Sequence, residues 1–458
     1  MMKPADNRRI TTTSGKSLMG SYSLPGDKSI SHRAALFGAL AQGQNVIKNF
    51  LLAGVTKSML DSLSKLGVHW ELDGDQLTIQ GSGLRGLRPT ADPLDCGNSA
   101  TTMRLLTGAL AGAGIPAVLT GTPGLRRRPM SRIVRPLQSM GVPIQATAKG
   151  TAPLVLEARS RDQSLSALDY TLPVASAQVK TCLLIAALDA DRPTTLYEPG
   201  PSRDHTERIL ASMGVPIEKE VYHRAGVNTY VTRLSPPRLP DLDPLNITVP
   251  GDISGAAFLI VAALVTPNSE ITLRGLGLNP TRTGLIDVLR QMGGDIRIHS
   301  RGEVHGEPFG DLTVRYSKIE GVEVRGSTVV RMIDEFPAFA IAAACASGVT
   351  TVREAAELRH KESDRIAALC QELNAIAVDV QEMSDGFIVS GGVIAGGNEV
   401  DSHGDHRLAM ALTVAGLVAE EPVTVGNAGV IDESFPDFVF ALRSLGAHVE
   451  LEADNLET

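Results

Sequence analysis

A short segment near the start of the chain combines the groups that bind an anion. Leu24–Arg33 reads LPGDKSISHR, in which a Pro-Gly turn is followed by Asp27, Lys28 and Ser29 and then by an apolar run. A turn that opens a helix leaves backbone N–H groups unpaired beside a positive dipole end, and Lys28 and Arg33 add two formal charges. The segment therefore predicts a helix start that binds a phosphate or a carboxylate.

Further polar clusters precede other apolar, Ala-rich segments of the chain. They are Gly97–Arg104, Gly124–Met130, Ser176–Lys180, Ser202–Glu207, Asp334–Pro337, Arg359–Arg365 and Asp405–Arg407. Each cluster alone has a simpler explanation, as a helix cap, as first-turn acids or as a solvated charged face. If the helix starts meet at one site, their Arg and Lys side chains would hold several phosphates or carboxylates, and Asp334 or Glu362 would transfer protons. Together the clusters predict a transfer reaction between anionic substrates.

Length and composition are typical of a soluble enzyme with two domains. The chain has 458 residues, of which 43% are hydrophobic and 21% are charged. The longest apolar run, Ala256–Val265, is too short to span a bilayer, and Met1–Gly20 lacks the apolar centre of a secretory signal. We therefore expect a cytoplasmic protein. The net charge of −8 argues against nucleic acid as a partner. The four cysteines form no C-x-x-C pair, which predicts reduced and buried thiols.

A phrase that ends a helix recurs six times along the chain. An apolar residue is followed by a small one at Gly67, Gly141, Gly214, Gly293, Ala377 and Gly446, with spacings of 74, 73, 79, 84 and 69 residues. Glycine at this place favours the left-handed conformation that ends a helix before a strand begins. Most units also have an earlier Ala-rich helix, expected at Met103–Ala113, Ala177–Leu188, Phe336–Ser347 and Leu408–Leu417. The pattern predicts six repeated α/β units.

The anion-binding phrase returns as Pro250–Ser254, without its two basic residues. This recurrence predicts two halves of three units each. Residues 1–24 and 250–458 would form one domain, and residues 25–249 the other. The Pro- and Asp-rich stretch Ser235–Pro244, just before the second copy, is expected to be an edge or a connection.

These motifs resemble the enolpyruvyl transferase family, and in particular its branch that acts on shikimate 3-phosphate. The matching segments are Leu24–Arg33, Gly97–Arg104, Arg128–Met130, Ser176–Gln178, Ser202–His205, Asp334–Glu335, Lys361–Arg365 and Asp405–Arg407. The resemblance implies an α/β fold of two similar domains, an inside-out α/β barrel with three βαβαββ units per domain and the active site in the interdomain cleft. It also implies a monomer that needs no metal or cofactor.

The resemblance further implies transfer of the enolpyruvyl group of phosphoenolpyruvate to the 5-hydroxyl of shikimate 3-phosphate, a step of aromatic amino-acid biosynthesis. Asp334 would act as base toward the hydroxyl, Glu362 as acid at C3 of phosphoenolpyruvate, and Lys28 would stabilise charge until phosphate leaves a tetrahedral intermediate. The implied contacts of shikimate 3-phosphate are Lys28, Ser29, Arg33, Ser176, Ala177, Gln178, Arg203, Asp334 and Lys361. Those of phosphoenolpyruvate are Lys28, Ala100, Arg128, Gln178, Arg365 and Arg407.

Two positions depart from some relatives, and two other functions stay open. Glu433 stands where some relatives have Lys, so the resemblance assigns it no phosphoenolpyruvate contact. Ala100 stands where glyphosate-sensitive relatives have Gly, as in the tolerant class II branch, which predicts weak inhibition by glyphosate. The sister transferase for a UDP-linked amino sugar uses a reactive Cys that Leu119–Arg126 lacks. A non-enzymatic phosphate-binding repeat protein would need only the basic groups, whereas this chain has both Asp334 and Glu362.

Overall fold

The chain folds into two compact units. The computed structural model describes residues 8–160, 162–224, 227–237 and 242–452, so residues 238–241 of the Pro-rich stretch lie outside the described residues. Unit 1 comprises the chain up to Pro25, Pro250–Gly302 and the chain from Pro308, whereas unit 2 comprises Gly26–Val249 and Glu303–Glu307. The chain passes between units at the two Pro-Gly phrases. Residues 303–307 group with unit 2, although the sequence pattern assigned all of 250–458 to one domain.

The described residues form 24 β-strands and 14 α-helices. The strands are β1 (Arg9–Thr13), β2 (Met19–Ser23), β3 (Gln42–Lys48), β4 (His69–Asp73), β5 (Gln76–Ser82), β6 (Leu94–Asp95), β7 (Ala117–Thr120), β8 (Ile144–Gln145), β9 (Leu154–Leu156), β10 (Asp169–Thr171), β11 (Thr194–Glu198), β12 (Ile217–Arg224), β13 (Val227–Leu234), β14 (Asn246–Thr248), β15 (Glu270–Gly277), β16 (Asp295–Val304), β17 (Glu307–Arg315), β18 (Glu323–Val324), β19 (Val349–Val352), β20 (Asp379–Met383), β21 (Gly386–Ser390), β22 (Glu399–Asp401), β23 (Val423–Gly426) and β24 (His448–Glu452). The helices are α1 (Lys28–Leu40), α2 (Gly54–Lys65), α3 (Ala100–Ala113), α4 (Pro123–Arg126), α5 (Ser131–Ser139), α6 (Ala177–Ala186), α7 (His205–Ser212), α8 (Ile253–Val265), α9 (Gly284–Gln291), α10 (Ser327–Arg331), α11 (Phe336–Ala344), α12 (Arg365–Ala375), α13 (His406–Ala415) and α14 (Phe438–Ser444).

Six four-stranded sheets share one plan, three in each unit. Their strand orders are β14-β3-β5-β4, β6-β7-β9-β8 and β10-β11-β13-β12 in unit 2, and β2-β15-β17-β16, β18-β19-β21-β20 and β22-β23-β1-β24 in unit 1. In every sheet the first pair of strands is parallel and the second is antiparallel. The prediction of six α/β units in two sets of three is confirmed.

Three of these sheets include a strand from a distant part of the chain. Strand β14 pairs with β3 in the first repeat, and β2 pairs with β15 in the fourth. In the sixth repeat β1 lies between β23 and β24, where Ile10 is opposite both Val425 and Leu451. Residues 9–23 therefore supply two strands of unit 1.

Apolar helices form the core of each unit. In unit 1, α11 packs against α8 and α13, and every residue of α8 is buried. In unit 2, α3 packs against α6 so closely that a Cβ at Gly108 would lie 2.3 Å from the Cys182 carbonyl oxygen. In the part of the chain that the structure describes, no helix is long and apolar enough to cross a membrane. All four cysteines are free; three are buried and Cys345 is half-buried.

The six helix-ending positions all adopt the predicted left-handed conformation. Their φ angles are +83° at Gly67, +89° at Gly141, +86° at Gly214, +103° at Gly293, +63° at Ala377 and +104° at Gly446. Ala377 has the conformation that its five counterparts reach without a Cβ, so its backbone carries strain that theirs do not.

Helix starts follow their capping residues, and this corrects several expected boundaries. The Leu24–Arg33 segment opens a helix, as predicted, and α1 begins at Lys28 because Asp27 accepts a hydrogen bond from the Ile30 N–H at 2.9 Å. Helix α3 begins three residues earlier than expected, since Ser99 caps it, and α13 begins two residues earlier, since Asp405 caps it. Helices α6 and α11 end earlier than expected, at Ala186 and Ala344.

Candidate active site

The first helix of unit 2 presents Lys28 and Ser29 on its first turn, where both are half-buried. Arg33 follows one turn later and is buried. Its Nη1 donates to the Ser29 carbonyl oxygen at 2.9 Å, Nη2 to Thr181 Oγ1 at 2.8 Å and Nε to Thr206 Oγ1 at 2.8 Å. Burial lowers the pKa of Arg33 to about 10, although the charge of a nearby carboxylate opposes this shift.

Arg203 reaches the same helix start from the loop before α7. Its Nη1 donates to Ser29 Oγ at 3.3 Å. Three of the residues predicted to bind shikimate 3-phosphate, Ser29, Arg33 and Arg203, thus lie in one network. Ser176 and Ala177, at the start of α6, are half-buried.

A second network of unit 2 surrounds Gln178. Its Nε2 donates to Thr101 Oγ1 at 2.9 Å, and its Oε1 accepts a short hydrogen bond from Arg104 Nη1. Arg104 Nη2 also donates to the Pro129 carbonyl oxygen at 3.0 Å. Arg104 was not predicted as a site residue, although it closes the matching segment Gly97–Arg104; its place one turn after a capped helix start was the available signal.

Arg104 lies in the segment Gly97–Arg104 and contacts the segment Arg128–Met130 through the Pro129 carbonyl oxygen. Ala100 and Arg128 belong to these two segments. Ala100 is the first residue of α3 and is buried, directly after the Ser99 cap. Arg128 is half-buried in the loop between α4 and α5, next to Pro129. In the predicted basic run only Arg126 and Arg127 form an exposed face, so the solvated-face interpretation holds for these two and not for Arg128.

His32 is a buried neutral residue within the anion-binding segment. Its Nδ1 lies 2.7 Å from the Lys28 carbonyl oxygen and its Nε2 lies 3.2 Å from that of Val55. Burial, together with the charges of Lys28 and Arg33, lowers the pKa of His32 to about 4, although the hydrogen bond with the Lys28 carbonyl opposes this shift. At neutral pH the imidazole therefore packs as an uncharged group.

Arg365 is the centre of the predicted site residues in unit 1. Its Nε donates to Asp405 Oδ2 at 2.7 Å, Nη2 to Glu362 Oε2 at 2.7 Å and Nη1 to Asp334 Oδ1 at 3.3 Å. Burial alone would lower the pKa of Arg365, but Asp405, Glu362 and Asp334 together raise it. A single guanidinium therefore contacts carboxylates from three separate segments.

Lys361 and Arg407 complete this cluster. Lys361 Nζ lies 3.3 Å from Asp334 Oδ1, and burial lowers the pKa of Lys361 despite that contact. Arg407 is buried at the start of α13, where its backbone N–H donates to Asp405 Oδ1 at 2.9 Å. Asp405 thus caps one helix and binds Arg365 of another.

The solvated helical face considered for Lys361 and Glu362 is wrong. Helix α12 begins only at Arg365, because Asp364 accepts from the Ala367 N–H at 3.1 Å and caps it there. Residues 361–363 precede the helix, and Arg365 is buried. Lys361 therefore contacts Asp334, and Glu362 pairs with Arg365 within this partly buried cluster and not on a solvated helical face.

A polar network behind α11 was missed by the sequence patterns. Glu335, which reads as a first-turn acid, is buried and accepts a short hydrogen bond from Ser254 Oγ. Arg282 Nη2 in turn donates to Ser254 Oγ at 2.6 Å and is 3.4 Å from Asp252 Oδ1.

Glu433 is half-buried at the end of the short 3-10 helix Ala428–Glu433.

The two groups of residues differ in charge, and this difference defines their chemistry. We call Lys28, Ser29, Arg33, Ala100, Arg128, Ser176–Gln178 and Arg203 the unit 2 half-site; its ionisable members are all cationic. We call Asp334, Lys361, Glu362, Arg365 and Arg407 the unit 1 half-site; it combines cations with two carboxylates. The unit 2 half-site can bind anions, whereas the unit 1 half-site can also transfer protons.

Comparison with known proteins gives the same family for the whole chain. The family model described as EPSP synthase (3-phosphoshikimate 1-carboxyvinyltransferase) matches residues 12–453. The chain is 49% identical over 424 residues to the 3-phosphoshikimate 1-carboxyvinyltransferase of Roseiflexus sp. (strain RS-1), covering 92% of this chain and 95% of that protein. It is 45% identical over 448 residues to the enzyme of the same name from Methylococcus capsulatus (strain ATCC 33009 / NCIMB 11132 / Bath), covering 96% and 98%. A solved structure of EPSP synthase from Acinetobacter baumannii matches with a TM-score of 0.83 at 39% identity, over 97% of this chain and 100% of that one.

Proposed function

Because the chain belongs to the EPSP synthase (3-phosphoshikimate 1-carboxyvinyltransferase) family, we propose that its two half-sites together carry out the transfer that this name describes. The reaction moves the carboxyvinyl group of phosphoenolpyruvate to the 5-hydroxyl of shikimate 3-phosphate and releases phosphate. Both substrates are anions, which suits the cations at the helix starts of both units.

The unit 2 half-site binds shikimate 3-phosphate, and its Ala100, Arg128 and Gln178 also contact phosphoenolpyruvate. Arg33 and Arg203 both contact Ser29, so a phosphate at the start of α1 would meet two guanidinium groups and the N-terminal backbone of a helix. Lys28, on the same turn, would neutralise charge that develops as the two substrates react. Ser176, Ala177 and Gln178 present a second helix start to the ring hydroxyls of shikimate 3-phosphate.

The unit 1 half-site transfers the protons and binds phosphoenolpyruvate through Arg365 and Arg407. In the addition step Asp334 takes the proton of the 5-hydroxyl, the oxygen bonds to C2 of phosphoenolpyruvate, and Glu362 gives a proton to C3. In the elimination step Glu362 takes a proton from C3, the double bond re-forms and phosphate leaves with the proton held by Asp334. Both carboxylates end in their starting forms, so the cycle balances. Lys361 contacts Asp334 and would orient it toward the hydroxyl.

One observation carries this assignment: Asp334 and Glu362 both contact the guanidinium of Arg365. A protein that only binds phosphate gains nothing from two carboxylates beside its cations, because they repel the ligand. An enzyme that must remove one proton and add another needs two such groups close together. The arrangement therefore favours the transferase over a phosphate-binding repeat protein.

The direct test is phosphate release from phosphoenolpyruvate, measured with shikimate 3-phosphate and separately with UDP-N-acetylglucosamine as acceptor. We expect release only with shikimate 3-phosphate. Asp334→Asn should slow it by about 10²- to 10⁴-fold, whereas Asp379→Asn, which neutralises an exposed acid of the same unit, should not. Release only with the UDP-sugar would refute the assignment in favour of the sister transferase.

Two finer properties follow from the same assignment. The active species is proposed to be a monomer; activity that tracks a monomeric peak in size-exclusion chromatography would test it. Ala100 is buried at the first position of α3, so its methyl group narrows the space beside that helix start. Glyphosate, which is longer than phosphoenolpyruvate, is therefore proposed to inhibit weakly.

A further inference from the structure

A buried ion triad lies next to Arg33 in unit 2. Lys180 Nζ lies 2.6 Å from Glu198 Oε2 and 2.7 Å from Glu207 Oε1, and the three side chains are at most 3% exposed. Burial opposes the charge of Lys180, but Glu207 and Glu198 raise its pKa above the ordinary value of a lysine. A buried ion triad usually stabilises a fold no more than apolar residues of similar volume would. Stability alone therefore does not explain the triad, which indicates a functional role.

Two members of the triad are sequence neighbours of the groups that hold Arg33. Thr181 follows Lys180 on α6, and Thr206 precedes Glu207 on α7. These two hydroxyls accept the hydrogen bonds of Arg33 Nη2 and Nε, both at 2.8 Å. The contact of Lys180 with Glu207 therefore joins the two helices that set both edges of the Arg33 guanidinium.

The third member acts on the loop that carries Arg203. Ser202 Oγ donates to Glu198 Oε1 at 2.5 Å, and the next residue, Arg203, donates to Ser29 Oγ at 3.3 Å. Glu198 is the last residue of β11, so it links the end of that strand to the loop. Both guanidinium groups assigned to shikimate 3-phosphate are thus linked to the triad through one hydrogen bond and one neighbouring residue.

The triad also balances charge. One lysine and two glutamates leave one negative charge, and within the described residues no group donates a hydrogen bond to Glu207 Oε2. Burial lowers the pKa of Arg33, and among the nearby charges that oppose this shift the charge of Glu207 has the largest effect. The net negative charge of the triad therefore offsets the positive charge of the buried Arg33 guanidinium, which is assigned to bind the substrate.

We propose that Lys180, Glu198 and Glu207 are positioning residues for shikimate 3-phosphate. They fix α6, α7 and the loop before α7, so that Arg33 and Arg203 meet the substrate in one arrangement, and they do not touch it. This inference rests on the proposed function, since it assigns a role to residues behind the unit 2 half-site.

The first test is Lys180→Met, which keeps the volume of the side chain and removes its charge. We expect the Kd and the KM of shikimate 3-phosphate to rise by about 10- to 100-fold, because a shift of about 1 Å in a binding group costs that much. The KM of phosphoenolpyruvate should change by less than about threefold, since its assigned cations lie mainly on other segments. The control is Arg159→Met, which breaks another buried ion pair of unit 2, with Asp189 at 2.6 Å, just beyond the other end of α6. It should lower stability and leave the affinity for shikimate 3-phosphate unchanged.

The second test separates positioning from stability. In the triple variant Lys180→Met/Glu198→Gln/Glu207→Gln no buried charge of the triad remains unpaired, so the midpoint of thermal unfolding should recover toward that of the wild type. The Kd of shikimate 3-phosphate, measured by calorimetry, should stay raised. Affinity that returns together with stability would overturn the proposal, as would a Lys180→Met variant that matches Arg159→Met. If Lys180→Met does not fold, the triple variant decides alone. A wild type that releases no phosphate from the two substrates would instead refute the proposed function.

Discussion

Acid should destabilise unit 2 through His32. This imidazole is buried within the anion-binding segment, and its pKa is lowered to about 4. The ordinary value of about 6.5 returns when the unit unfolds and the ring meets water. Because the folded pKa is the lower one, the unfolded state binds a proton between these two values and the folded state does not. The contribution of neutral His32 is therefore fully present above pH 6.5 and is lost as pH falls toward 4.

The magnitude follows from the two pKa values. At pH 5 almost every unfolded chain carries the extra proton, whereas about one folded chain in ten does, which lowers the free energy of unfolding by about 2 kcal/mol relative to pH 7.5. His32→Asn removes this titration. The asparagine amide can still donate to the Lys28 carbonyl oxygen that Nδ1 of His32 now contacts. The variant should be less stable than the wild type at pH 7.5 and should lose about 2 kcal/mol less on acidification.

Urea unfolding at pH 7.5 and pH 5, followed by tryptophan fluorescence, measures this difference. Trp70 is the single tryptophan of the chain, packs half-buried against the core of unit 2 and donates to Ser64 Oγ at 2.7 Å, so its signal reports on the unit that contains His32. The control is His223→Asn, which removes an exposed histidine of the same unit and should keep the wild-type loss. Equal acid losses in His32→Asn and in the wild type would refute the reasoning.

Three other outcomes are expected. Asp334→Asn and Glu362→Gln should each lower turnover by about 10²- to 10⁴-fold, while Glu362→Gln keeps the affinity for shikimate 3-phosphate in calorimetry; near-wild-type turnover of either variant would contradict its role. Ala100→Gly should tighten competitive inhibition by glyphosate by about 10- to 200-fold with little change in the KM of phosphoenolpyruvate, and equal inhibition constants would show that the methyl group does not exclude the inhibitor. Ala377→Gly should raise the free energy of unfolding by roughly 0.5–1 kcal/mol, and Gly141→Ala, where an added Cβ meets no atom within 4 Å, should lower it by a similar amount; changes of the same sign would refute the strain argument.

The features that could be predicted from the sequence are those fixed by local chemistry. Asp27 and Asp252 cap their helices through hydrogen bonds to residues two or three positions away, so the recurring Pro-Gly-Asp phrase was enough to place both helix starts. The same holds for the helix ends. The chain adopts a left-handed conformation at Gly67 and its counterparts, and this local requirement favours glycine irrespective of tertiary contacts.

The features that could not be predicted depend on contacts between distant segments. Taken alone, the spacing of Lys361 and Glu362 to Arg365 suits ion pairs on a solvated helical face. Arg365 does pair with Glu362, but it also pairs with Asp334 and Asp405, about 30 and 40 residues away, and it is buried at the start of the helix. The buried position of Arg365 depends on these distant partners, and the residue pattern of a single helix does not reveal them.

The strands of the first segment give the protein an obligatory order of assembly during synthesis. Strand β1 is translated first, yet both of its partners, β23 and β24, lie more than 400 residues later. At about 5–20 residues per second, the ribosome needs roughly 20–80 s to produce them. By contrast, β14 completes the first sheet of unit 2 as residue 248 emerges, so most of that unit can fold while β1 still waits.

A strand that has been synthesised before its partners has unpaired backbone N–H and C=O groups, and these can pair with other nascent chains and cause aggregation. The composition of β1 reduces this hazard: it reads RITTT, with a charged first residue and Ile10 as its one large apolar side chain. Such a strand gains little from pairing alone and is stabilised only when Ile10 enters the core beside Val425. Adding apolar residues to β1 would strengthen the finished sheet, but it would expose the half-made chain to aggregation on the ribosome.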